Sequence, residues 1–115
     1  MLIGPVTLVG LSMSHYIKDN KIYKSSSIAH IGSFKDGKIY KSSSIHVIGS
    51  VKDGKIYKSS SIHVIGSVKD GKIYKSSSIA VLNINSTIHS AIKDSKNYDL
   101  ALMVAVYHFL IKPIF

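Results

Sequence analysis

The chain has 115 residues and a formal net charge of +9, built from 15 Lys, no Arg and six Asp, with no Glu and no Cys. That length allows one small domain with a modest core. The absence of Cys excludes disulfides and thiolate metal sites, and the absence of Arg argues against sequence-specific nucleic-acid binding, which leans on the guanidinium fork.

Residues 1–17 carry no charged side chain. They lack the cationic start and small-residue cleavage site of a signal peptide. Gly4, Pro5 and Gly10 spoil a helix there, so the stretch Val6–Leu11 reads as a strand.

From Lys18 to Asn85 one 17-residue sentence is written four times, in Lys18–Phe34, Lys35–Val51, Lys52–Val68 and Lys69–Asn85. The second and third copies are identical. A fixed period means a unit buried against copies of itself. Each copy holds two breakers, Asp-Gly (Asp36-Gly37, Asp53-Gly54, Asp70-Gly71; Asp19-Asn20 in the first) and a serine triplet such as Ser59-Ser60-Ser61. Asp-Gly between apolar runs marks a two-residue hairpin turn, because Gly accepts positive φ and Asp tolerates it. Two short runs rich in Ile, Val and Tyr between two breakers predict one hairpin per repeat. Alternation predicts Ile56 inward and Tyr57 outward, with Ile62, Val64 and Val68 on one face and His63 and Ile65 on the other. Gly32, Gly49 and Gly66 suggest a bulge or a close approach of backbones.

Units of the form Gly-x-Ile-x-x-Ser-Ser…Ile-Gly-x-Val/Ile-x-Asp occupy Asn20–Asp36, Gly37–Asp53 and Gly54–Asp70, and Gly71–Ile79 matches in part. With the apolar C-terminal tail, this pattern resembles the bacterial five-fold β-flower proteins. In place of that family's Gly-Arg/Lys after the serines the chain has Ser-Ile-His/Ala, which lengthens the turn by one residue. The resemblance implies a mainly β fold: a closed ring of antiparallel hairpins, five-fold or four-fold, with one C-terminal α-helix. A fifth unit is to be found in Met1–Ile17 or in Thr87–Asp94. The resemblance brings no activity with it.

Residues 1–97 are thus expected to form the hairpin domain and residues 98–115 an apolar helix packed on it. Tyr98–Ile111 is apolar nearly all round, with Asp99 at its start and Lys112-Pro113 at its end. About 14 residues span roughly 21 Å, short of the ~30 Å hydrocarbon core, so own-domain packing is favoured over an oligomer contact or a membrane anchor.

The six His do not fall into one register: His46 and His63 are equivalent, but Ala29 and Ala80 take their place in the outer copies. A metal site needs three or four convergent ligands, so no metal, cofactor or catalytic residue is expected. Identical copies also give identical environments, whereas an acid and a base need different ones. What they do provide is a ring of like surfaces. The candidate interaction surface is Tyr23, Lys24, Tyr40, Lys41, Tyr57, Lys58, Tyr74 and Lys75. The expected role is a non-catalytic structural or interaction domain, its partner a protein or an anionic surface engaged with avidity. The alternatives are membrane association through the C-terminal helix and non-specific polyanion binding; a cytoplasmic location is favoured, with membrane association beside it.

Overall fold

The computed structural model describes residues 14–42, 44–59, 61–76 and 81–115. The strand expected at Val6–Leu11 lies outside them.

Four hairpins follow one another: β1 (His15–Lys18) with β2 (Lys21–Lys24), β3 (His30–Lys35) with β4 (Lys38–Lys41), β5 (Val47–Lys52) with β6 (Lys55–Lys58), and β7 (Val64–Lys69) with β8 (Lys72–Lys75). Each turn has the geometry that its residues predict. Asp36, Asp53 and Asp70 lie at φ of 51–52° and the glycines after them at 76–77°, while Asp19 and Asn20 lie at 52° and 61°. Positive φ at both central residues matches the right-handed strand twist.

Successive hairpins pair side by side, and with β9 (Val81–Leu82) and β10 (Ile92–Lys93) at the two ends they form one ten-stranded sheet of order β10-β1-β2-β3-β4-β5-β6-β7-β8-β9. β9 pairs antiparallel with β8, and β10 pairs parallel with β1. The expected closed ring is not seen: among the described residues β9 and β10 end the sheet as two separate edges. The segment that was to supply a fifth unit from Thr87–Asp94 is instead mostly helix. α1 (Asn85–Ala91) buries Ile88 and leads into β10, so this stretch adds one strand, and His15–Lys18 supplies half of the first hairpin.

Ile22, Ile39, Ile56 and Ile73, one from each hairpin, are wholly buried on the inner face. In the first three repeats the long strand carries a bulge: in the third, Ile56 pairs with Gly66 and Tyr57 with Val64, which leaves Ile65 as the extra residue. The same shift recurs at Ile31 and Ile48. A bulge inserts one residue and so reverses alternation beyond it. That corrects the face assignment: Ile65 and Val68 pack against the core, Val64 lies beside Tyr57, and Ile62 is in the loop.

The inner face is covered by α2 (Leu100–Val106), which continues as a wider π turn over Tyr107–Ile111. The Asp99 side chain accepts a hydrogen bond from the Leu102 N–H and so caps the start. Met103, Val104, Ala105 and Val106 have no exposed surface. Own-domain packing is therefore the observed state of this segment.

The tail also explains the glycines. A side chain at Gly32 would lie 2.5 Å from Leu110 and 2.7 Å from the Tyr40 carbonyl oxygen; one at Gly49 would overlap the Phe109 ring, and one at Gly66 the Phe115 ring. Three equivalent glycines on β3, β5 and β7 thus form a trough in which three apolar side chains of the C-terminal tail lie. The close approach is of side chain to backbone rather than of backbone to backbone.

Candidate interaction surface

Antiparallel partners share a face of the sheet, so the pairing register sorts the predicted surface residues. Tyr16 faces Tyr23, Tyr40 faces Ser33, Tyr57 faces Ser50, and Tyr74 faces Ser67. All five tyrosines are half-buried and stand on the outer face, away from α2. Tyr16 and Tyr23 stack with ring centroids 5.0 Å apart, and His30 meets the Tyr23 ring edge-on at 6.0 Å.

Lys24, Lys41, Lys58 and Lys75 are exposed, but they are not brought beside the tyrosines that precede them. Lys41, Lys58 and Lys75 pair with Gly32, Gly49 and Gly66, the glycines that face the tail. Lys24 pairs with His15, which is buried on the inner side. The lysine next in sequence to a tyrosine necessarily points the other way in a strand.

The lysines that do share the tyrosine face lie two residues earlier and beside the turn. Lys18–Lys21, Lys35–Lys38, Lys52–Lys55 and Lys69–Lys72 are directly opposed across each hairpin. Like charges in that relation destabilise a sheet, by roughly 0.2–1 kcal/mol per pair. Eight lysines in four opposed pairs are a local cost that solubility alone does not require. Period-two reasoning, applied to Lys55-Ile56-Tyr57, contained this placement.

The serine loops fold over the same face. In the first three, a Ser N–H closes a turn onto a Lys carbonyl (Ser27 to Lys24, Ser44 to Lys41, Ser61 to Lys58, 2.9–3.0 Å). The hydroxyl of that Ser then accepts from the N–H two residues on, at Ala29, His46 and His63. Tyr16 donates its hydroxyl to the Ser27 carbonyl at 3.2 Å, which holds the first loop against the outer face. The loops are built by hydrogen bonds, yet at their tips Ile28 is 97% and Ile45 and Ile62 are 87% exposed. Beside Ile62 a groove of about 640 Å³ is lined by Lys38, Ser50, Lys52, Tyr57 and Ser61.

Among the described residues no three His or Asp side chains converge on a point that would hold a cation. His89 and the buried Ser95 share a 2.7 Å hydrogen bond. Burial, then the charge of Lys58, lowers the pKa of His108 below its ordinary 6.5; burial, then Lys24, does the same for His15. The His108 Nδ1 accepts the N–H groups of Ile114 and Phe115 at 2.9 and 3.2 Å. Its neutral form, with the proton on Nε2, therefore holds the tail end over Gly66.

Comparison with family models, curated proteins and solved structures finds no match for this chain.

Proposed function

We propose that the protein is a non-catalytic interaction domain whose outer sheet face engages an extended anionic partner. The observation that carries this reading is the repeated register: tyrosine and opposed lysines stand in the same relation in all four hairpins. Equivalent sites recur every second strand, roughly 10 Å apart at ordinary strand spacing. Several weak contacts in a fixed row bind with avidity when the partner is itself repetitive. The kinship with β-flower proteins belongs to the same reading; the 17-residue period and the hairpin turns support it.

Neither an anchoring nor a dimerising role is favoured for the C-terminal segment, because Met103–Val106 are already buried on the chain's own sheet. Among the described residues no helix is long and apolar enough to cross a membrane.

Chromatography of the full chain on immobilised heparin, a generic polyanion, tests the reading. Retention at low salt is expected, with elution well below the salt that a specific complex withstands. Replacing Lys38 and Lys55 by Gln should lower the eluting salt more than the same change at Lys41 and Lys58, which lie on the tail side. No retention at low ionic strength, or equal effects of the two pairs, would remove the proposal.

A further inference from the structure

The exposed isoleucines are not explained by charge. A polyanion is bound by lysine alone, and a soluble β surface gains nothing by holding Ile28, Ile45 and Ile62 in water at 87–97% exposure. Nor are these residues loose. The turn onto Lys24, Lys41 or Lys58 and the Ser hydroxyl contact two residues on recur at each tip, so each Ile is presented in the same way.

Ile62 lies at the rim of a groove that also includes Lys38, Lys52 and Tyr57. One face of the sheet thus combines apolar tips, a row of half-buried tyrosines and opposed lysine pairs. Tyr settles at membrane–water interfaces because its ring is apolar and its hydroxyl polar. Lys keeps its stem against apolar surface and its ammonium among headgroups, and basic clusters are drawn to anionic leaflets. A second copy docked face to face would set lysine rows against lysine rows. Charge therefore disfavours a copy of this chain and favours an anionic surface.

We infer that the outer face docks on an anionic lipid bilayer, with Ile28, Ile45 and Ile62 entering the headgroup–acyl boundary and Lys21, Lys38 and Lys55 meeting headgroup phosphates and carboxylates. This rests on the outer-face reading above and names its partner; it does not involve the C-terminal helix.

The test is co-sedimentation of the full chain with vesicles of equal parts phosphatidylserine and phosphatidylcholine, beside vesicles of phosphatidylcholine alone. The wild type should bind the mixed vesicles and show at least tenfold weaker partition to the neutral ones. The triple variant Ile28→Ser, Ile45→Ser, Ile62→Ser should keep its circular dichroism and its heparin retention and lose at least tenfold in partition to the mixed vesicles. Heparin retention without vesicle binding overturns the bilayer and leaves the outer-face reading standing; neither kind of binding removes both. Undiminished vesicle binding by the triple variant overturns the role of the tips. Concentration-dependent self-association that the triple variant abolishes, without vesicle binding, assigns the tips to a second copy and overturns the proposal.

Discussion

The two faces of the sheet are built from alternate residues of the same strands and are treated in opposite ways. On the inner face Ile22, Ile39, Ile56 and Ile73 are sealed, and even the glycines between them are filled by Leu110, Phe109 and Phe115. On the outer face the tyrosines are half-covered, lysines oppose lysines, and the loop isoleucines stand in water. The repeat therefore specifies a core on one side only, and that core is completed by a segment outside the repeats. Small β-sheets rarely stand without a covered face.

The largest expected effect follows from removing the cover. Truncation after Asn97 takes away α2 and its continuation, which bury Met103–Tyr107 against the sheet. At about 25 cal/mol per Å² of apolar area, that loss is comparable with the 5–15 kcal/mol total of an ordinary domain. A thermal scan should show no cooperative transition for the truncated chain. The same melting temperature as the intact protein would mean that the tail is not part of the core.

Next in size are single core cavities. Ile56→Ala should cost about 2–5 kcal/mol in urea denaturation. An effect below about 0.5 kcal/mol, the range usual for surface substitutions, would place Ile56 outside the core.

A smaller effect comes from acid. His15 and His108 both titrate below 6.5 in the folded protein, each chiefly because burial disfavours its charged form. The unfolded chain then binds more protons as the pH falls through 6.5, so stability is lost from there down to the folded values and levels off below them. Urea midpoints should fall across that window. Replacing both histidines by Gln should flatten the dependence; a midpoint independent of pH in the intact protein would contradict the burial.

The smallest effect sharpens the contrast from the outer side. Ile62→Ser should change stability by no more than about 0.5 kcal/mol, despite being as drastic in chemistry as any core change. A loss above 2 kcal/mol would show Ile62 to be packed.

The sequence made several of these features legible because they are local. Asp-Gly prescribes a turn whatever surrounds it, and Lys55-Ile56-Tyr57 alternates as any strand does. Asp99 and Pro113 bound the C-terminal helical segment by capping and ring sterics. Other features depend on partners far away in the chain. The bulge at Ile65 follows from cross-strand pairing and changes the face of Val64, so simple alternation misplaced it. α1 has Ile84 at its start with no side-chain cap, and it is held through buried Ile88 rather than by propensity. The glycine row announced a close approach, but nothing near it in sequence named Phe109, Leu110 or Phe115. Chain closure belongs to the same class: a ring depends on how β9 and β10 meet, and their own residues leave that open.

Gly32, Gly49 and Gly66 are each followed by a serine, Ser33, Ser50 and Ser67, that points to the other face. The most direct measurement is a side-by-side melt of Gly32→Ala, Gly49→Ala, Gly66→Ala against Ser33→Ala, Ser50→Ala, Ser67→Ala. Overpacking costs about 1–3 kcal/mol per site, so the glycine triple variant should lose its cooperative transition or melt far below the wild type. The serine triple variant should melt close to the wild type. Equal melting of the two, or an unaffected glycine variant, would contradict a one-sided core closed by the tail.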